Sequence, residues 1–284
     1  MRRRRRVPSE PPYDADHYQF DVHLAHACNF SCESCSHFSN YHFSGVLTLE
    51  VAEVWYQKWA TRLRPFRINL LGGEPAINPK FSEHVLLARR YWPSARLRIY
   101  TNGFLLHRHP QLPEAMQMAG NTILELSKHY DSQEYLARFE AVVRMVQFWR
   151  AQHGIDFEIV DSFKHWTRRY IDDNGTLRPY HDNNPQQSWS TCRAKHCIQM
   201  HDGKLWKCPM LAYLPMAKRQ LNLSPEWDYY LTYRALDADC SEGQLKKFLT
   251  GSVEPYCAAC PTQSRPFQKS NPMAGTVSRG VSVV

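Results

Sequence analysis

Through residues 17–161, short β-rich runs alternate with amphipathic stretches, and this alternation limits the fold more than any other property of the 284-residue chain. Strand patterns cover 17–27, 67–71, 97–101, 122–128 and 155–161. Helical periodicity covers 49–63, with Thr48 as N-cap, then 82–91, 112–118 and 132–152. A strand that returns through a helix to a parallel neighbour makes a right-handed crossover, so the pattern predicts a parallel sheet with helices packed on it. In such folds function gathers at the C-terminal ends of the strands. Cys28, Gly72-Gly73-Glu74-Pro75, Asn102 and Ser127 all fall there.

Side chains alternate across a strand, so each strand has two faces to place. One face carries Phe20, Val22 and Leu24, then Ile68 and Leu70, Leu97 and Ile99, Leu124 and Leu126, Phe157 and Ile159. The other carries Asp21, His23, Asn69, Arg98, Tyr100, Glu125, Ser127, His129 and Glu158. A closed eight-stranded barrel fills its interior with apolar layers. These strands predict an α/β fold of a different kind: a partial, open TIM-like barrel of about five to six parallel strands, apolar faces under helices and polar faces lining a wet cavity. The alternative is that the polar residues pair with one another as structural ion pairs. The expected organisation is a disordered basic tail over 1–15, the barrel over 16–187, a small hairpin-plus-helix domain over 188–264 and a flexible tail over 265–284.

The formal net charge is +8, but five of those charges are Arg2 to Arg6, leaving +3 for the rest. A local charge run of this kind reads as a solvated tail, and no specific nucleic-acid partner is expected. No apolar run approaches the roughly 18 residues needed to cross a membrane. Pro8, Pro11 and Pro12 stand where a signal peptide would carry its apolar region, so export is not expected and the cytoplasm is the predicted compartment. Nine cysteines in such a chain point to metal or redox chemistry rather than to a disulfide framework.

Cys28, Cys32 and Cys35 follow the first strand as Cys-x3-Cys-x2-Cys. Three thiolates leave one position of a four-cysteine iron–sulfur shell open to a substrate or cofactor. By itself the spacing also suits a zinc site short of one ligand. The ordered set of these cysteines, Gly72-Gly73-Glu74-Pro75, Thr101-Asn102-Gly103 and Ser127 resembles the radical S-adenosylmethionine (SAM) superfamily over most of residues 17–161. The resemblance implies that the three thiolates hold a [4Fe-4S] cluster whose fourth iron is chelated by SAM. It implies further that Gly72 to Pro75 bind the methionine amino group, with Glu74 as acceptor, and that Ser127 meets the ribose. In that family one electron splits SAM, and the resulting 5′-deoxyadenosyl radical takes a hydrogen atom from substrate. Many members carry an aromatic residue before the third cysteine to pack on adenine. Ser34 stands there in this chain, which leaves Phe30 or Phe38 to substitute.

A second cysteine group comprises Cys192, Cys197, Cys208, Cys257 and Cys260. Asp202-Gly203 predicts a two-residue hairpin turn between runs 198–201 and 204–207, which sets Cys197 across from Cys208. A helix is predicted over 241–249, and Cys257-Ala258-Ala259-Cys260 follows it. This arrangement resembles the shortened auxiliary-cluster domain called twitch, related to SPASM. Five cysteines compete for four positions: Cys192, Cys208, Cys257 and Cys260, with Cys197 as alternate for Cys192. A tetrahedral zinc site fits the same residue types. Cys240 matches nothing in the pattern.

Two enzyme classes and one non-enzymatic class follow. In the first, the substrate is a small polar molecule, a sugar- or aminocyclitol-like alcohol oxidised to a carbonyl, with the auxiliary iron–sulfur cluster accepting an electron. His129, Tyr100, Arg98 and His23 are then candidate proton acceptors. In the second, the substrate is a peptide side chain; few residues precede the first strand, which counts against a peptide-recognition domain there. In the third, the chain is an iron–sulfur electron carrier, which has no need of a methionine-binding segment. Either enzyme would need an external one-electron reductant such as flavodoxin or ferredoxin.

Overall fold

The computed structural model describes residues 17–273; the arginine run with the rest of the expected basic tail through residue 15, and residues 274–284 of the expected flexible tail, lie outside the described residues. The first part runs β1 (Gln19–His23), α1 (Leu49–Trp59), β2 (Arg67–Leu71), α2 (Phe81–Tyr91), β3 (Arg96–Thr101), α3 (Leu112–Ala119), β4 (Thr122–Lys128), α4 (Gln133–His153) and β5 (Phe157–Asp161). All neighbouring strands of this set are parallel, as the crossovers require. Their register puts like with like: Phe20 lies beside Ile68, Ile68 beside Leu97, and Ile99 beside Leu124. That shared apolar face is covered by the helices. α4 supplies Tyr135, Phe139, Val142, Val146 and Trp149, spaced three or four apart so that one stripe turns inward. Each such side chain contributes about 1.5–3 kcal/mol by leaving water. Thr48 and Ser132 start α1 and α4 by accepting the N–H groups of Val51 and Tyr135, both at 3.3 Å.

The second part contains a short antiparallel ribbon, β6 (Ile171–Asp173) and β7 (Thr176–Arg178), then α5 (Pro185–Thr191), the hairpin β8 (Ile198–His201) and β9 (Lys204–Trp206), α6 (Pro209–Gln220) and α7 (Glu242–Leu249). The hairpin turns at Asp202-Gly203 with φ of 52° and 69°, the mirror-image turn that suits strand twist. β8 joins the main sheet. It lies parallel to β1, with Phe20 beside Ile198 and Val22 beside Met200, so one open sheet of seven strands runs β5-β4-β3-β2-β1-β8-β9. The expected boundary at residue 188 therefore does not divide the sheet. A second apolar cluster forms around α6, with Phe38, Phe43, Tyr170, Trp227 and Tyr230.

Residues 265–273 depart from the expected flexible tail. Pro272 accepts the Ser31 N–H at 2.9 Å, Arg265 accepts the Arg168 N–H at 2.9 Å, and Met273 is buried in the main core. The segment thus crosses the loop that bears the first three cysteines. No helix of the described residues is long and apolar enough to cross a membrane.

Candidate functional site

At the C-terminal ends of β1 to β4 lies a cavity of about 280 Å³. Cys28, Cys32 and Cys35 line it together with Gly72, Gly73, Glu74, Asn102 and Ser127, so eight predicted site residues from four separate segments meet in one place. His129 and Tyr100 also line it. Pro75 does not; it is buried as the first residue of a short 3-10 turn, Pro75–Ile77.

The reason for Gly72-Gly73 is legible in the backbone. The strand pairing of β1 and β2 continues past the strand ends, with the Gly73 N–H on Ala25 O at 2.8 Å and the Glu74 N–H on Ala27 O at 2.9 Å. A Cβ on Gly73 would lie 2.2 Å from Ala27 O and 2.9 Å from the Ser39 Cβ; one on Gly72 would lie 2.8 Å from Ala25 O. What the glycines admit here is the cysteine loop itself.

Glu74 is buried, and its oxygens already accept protein donors. Oε1 takes the Thr101 hydroxyl at 2.5 Å and the Ala76 N–H at 3.1 Å, and Oε2 takes the Asn102 N–H at 2.9 Å. The Asn102 side chain donates in turn to Asn29 Oδ1 at 2.8 Å. Glu74 thereby clamps the β3 turn to the cysteine loop. Burial pushes its carboxyl up to about 7 against those three hydrogen bonds.

The polar face of the sheet divides in two. Its deeper half pairs with itself: Asp21 accepts from the neutral amides of Asn69 at 2.6 Å and Gln199 at 2.7 Å. Arg98 bonds Glu125 Oε2 through Nε at 3.0 Å and also reaches Glu158. Arg98 therefore does not line the cavity. His23 does not line it either; its Nδ1 lies 3.1 Å from His26 Nδ1, and its ring packs against His37 and Tyr213. The upper ends, Tyr100, Glu125, Ser127 and His129, do face the cavity. Ser127 donates to Glu125 Oε1 at 3.1 Å, and His129 Nδ1 lies 3.6 Å from Cys32 Sγ.

Several cavity residues carry no sequence signal, Trp166, His37, Ser39 and Asn40 among them. Trp166 donates its indole N–H to Glu33 O at 2.8 Å, beside the position where Ser34 stands in place of an aromatic residue. Phe38 is excluded from that role because it stacks on Tyr170 in the second core, whereas Phe30 does line the cavity. His37, Ser39 and Asn40 line it from the far side of the cysteine loop. No motif marks any of these, since a loop side chain's direction depends on a backbone path that spacing does not encode.

Cys192, Cys208, Cys257 and Cys260 line a second cavity of about 30 Å³, with Lys207 and Glu254. Cys197 lies outside its lining, opposite Cys208 when the hairpin register is continued. Cys240 precedes the Ser241 N-cap of α7 and accepts from Arg62 Nη1 at 3.4 Å.

Both sites suit electron-poor inorganic groups. Burial pushes the thiols of Cys28, Cys32 and Cys35 up, and that of Cys260 up to about 12, so each needs a cation to ionise inside the protein. Among the described residues, no three His, Cys, Asp or Glu side chains converge tightly enough to hold a single metal ion. The wall of the first cavity carries Asn40, Asn102, Glu125 and Ser127 beside the thiols, which fits a polar organic ligand there. In the second cavity the four thiols are the residue types that would hold an inorganic group.

No protein-family model matches the chain, and no curated protein matches it. Among solved structures, BtrN in complex with AdoMet and 2-DOIA is similar over 89% of this chain and 99% of its own, at 12% identity and a TM-score of 0.50. anSMEcpe with bound AdoMet and Cp18Cys peptide is matched over 50% of this chain at 17% identity and a TM-score of 0.40; the match spans 42% of anSMEcpe, less than half its length. SuiB of Streptococcus suis, bound to S-adenosylmethionine, is matched over 55% of this chain and 44% of its own, at 13% identity and a TM-score of 0.36. The α/β architecture, an open and mostly parallel sheet of seven strands, is thus that of BtrN along nearly the full length of both chains.

Proposed function

We propose that this protein is a radical SAM enzyme that oxidises a small polar substrate, an alcohol of the sugar or aminocyclitol kind, and carries an auxiliary iron–sulfur cluster in a twitch-like C-terminal part. The observation that carries the reading is the convergence of Cys28, Cys32, Cys35, Gly72, Gly73, Glu74, Asn102 and Ser127 on one cavity. A full-length fold match to BtrN, solved with AdoMet and 2-DOIA, supports it. When bound, the cluster and SAM supply a one-electron cleavage and a hydrogen-abstracting radical; an external donor such as flavodoxin or ferredoxin supplies that electron.

The chain's own residues hold and enclose these groups. Cys28, Cys32 and Cys35 hold the cluster. Glu74 fixes the β3 turn against the cysteine loop, so the loop's position does not depend on cofactor alone. Trp166 and Phe30 are the aromatic surfaces available to adenine, and Ser127 is available to ribose. His37, Ser39 and Asn40 are the polar residues that line the cavity from the cysteine-loop side, available to the methionine end or to substrate. The segment 265–273 shields the Cys32 side from water, with Lys269 bonded to Phe163 O. Tyr100 and His129 are the cavity-lining groups able to accept or relay the substrate proton.

The test is anaerobic incubation of reconstituted, reduced protein and SAM with two substrate panels, one of small aminocyclitols and sugars and one of peptides. The expected result is loss of two hydrogens from a member of the first panel with matched 5′-deoxyadenosine release. Conversion confined to the peptide panel would overturn the substrate class.

A further inference from the structure

The chain between β5 and β6 is laid along the first cysteine loop residue by residue. Trp166 bonds Glu33 O, Arg168 forms an ion pair with Glu33 at 2.5 Å, the Arg169 N–H donates to Ser34 Oγ at 2.7 Å, and the Tyr170 ring stacks on Phe38 at 5.2 Å. The Arg169 side chain leaves this contact in the other direction. Its Nη1 lies 3.9 Å from Cys192 Sγ, one of the four thiols that line the second cavity. Arg169 thus links the first cysteine loop, through its backbone bond to Ser34, with the second cysteine group, through its guanidinium.

The charge of that guanidinium has no carboxylate to meet. Its chain neighbour Arg168 pairs with Glu33, and the half-buried Arg62 and Arg98 pair with Glu242 and Glu125. Among the described residues Arg169 forms no such pair, and it is half-buried, where an unmatched charge is costly. Its charge acts on Cys197 and Cys260 of the second group and on His37 of the first cavity. A metal held by Cys192 would make that sulfur a negative ligand 3.9 Å from the guanidinium.

Resting on the function proposed above, we infer that Arg169 is a positioning residue that pairs with the Cys192 thiolate and makes the auxiliary cluster a better electron acceptor. Oxidising an alcohol to a carbonyl after one hydrogen atom has been removed leaves one proton, which passes to water, and one electron, which the auxiliary cluster takes. The acceptor becomes more negative by one charge, and a fixed cation against its ligand favours that reduced state.

The test is a potentiometric titration followed by electron paramagnetic resonance on the reconstituted full chain with Cys28, Cys32 and Cys35 replaced by Ala, so that the remaining iron belongs to the second site. Arg169→Met, which removes the charge but not the backbone bond to Ser34, is expected to shift the reduced-to-oxidised ratio at fixed potential about tenfold toward oxidised, or 59 mV for one electron. Arg169→Lys is expected to titrate near the parent. A Met variant that loses the cluster while the Lys variant keeps it also supports the pairing with Cys192. Equal potentials in Met variant and parent, or loss of iron from both variants, would overturn the assignment to Arg169 alone. No second-site iron in the parent with Arg169 intact would overturn the auxiliary-cluster reading on which it rests.

Discussion

Replacing Gly73 by Ala probes the junction on which the first site is built. The new Cβ would stand 2.2 Å from Ala27 O, 2.6 Å from Ala27 C and 2.9 Å from the Ser39 Cβ. Two of those atoms are backbone, so no side-chain rotation relieves the contact; the loop must move by roughly 1 Å to reach ordinary van der Waals distance. Overpacking of this kind costs about 1–3 kcal/mol, and the Glu74 N–H bond to the same Ala27 carbonyl contributes about 1 kcal/mol more. The sum, about 2–4 kcal/mol, corresponds to a fall in Tm of roughly 3–7 °C at an unfolding entropy of about 2.1 cal/mol/K per residue. Because Ala27 directly precedes Cys28, the displacement also moves one thiol relative to the other two. The expected outcome in calorimetry and iron analysis is a lower Tm together with loss of about four irons, one [4Fe-4S] cluster. Gly154→Ala is the control: Gly154 caps α4 in the left-handed helical region, φ 67° and ψ 20°, with nothing within 4 Å of the new Cβ, so it should cost about 1–2 kcal/mol and leave iron unchanged. A Gly73→Ala protein with parental Tm and full iron would refute the reasoning.

Trp166→Ala removes an aromatic surface of the first cavity and should weaken SAM binding about tenfold, read by equilibrium dialysis, while leaving iron content intact. Burial raises the Asp21 carboxyl from 3.8 to about 6, so the folded state holds that proton more tightly than the unfolded chain. Its stabilising contribution is full below pH 4 and is lost as the pH rises through 6, a change of about 3 kcal/mol at 1.36 kcal/mol per unit. Asp21→Asn should abolish that slope in urea denaturation between pH 4 and 7. Cys192→Ala should cost the second site its iron, about four atoms for a [4Fe-4S] cluster, whereas Cys197→Ala should retain it; the reverse would exchange their roles.

The parallel core was legible because its determinants are local. Alternation in β1 to β4, the helical stripe of α4, the caps Thr48 and Ser132, and the Asp202-Gly203 turn are each written within a few residues. The hairpin itself could be read, but not its place beside β1, because pairing Phe20 with Ile198 joins residues far apart in the chain, and periodicity carries no partner identity. The same limit applies to the polar face. Asp21, His23 and Arg98 have the residue types of a reactive cavity, yet their partners Asn69, Gln199, Tyr213 and Glu158 come from other elements and consume them. Conversely Trp166 and Arg169 lie in a loop with no motif, and acquire their positions only through hydrogen bonds to Glu33 and Ser34.

The central claim is that Cys28, Cys32 and Cys35 hold an iron–sulfur cluster that cleaves SAM. Its most direct measurement is 5′-deoxyadenosine release from SAM by anaerobically reconstituted, reduced protein, compared with the variant in which all three cysteines are Ala. The wild type should hold about eight irons per chain, four from each of two [4Fe-4S] clusters, and release deoxyadenosine, while the variant should hold about four and release none. Deoxyadenosine release from the variant at the wild-type rate, or a wild type that binds no iron, would contradict it.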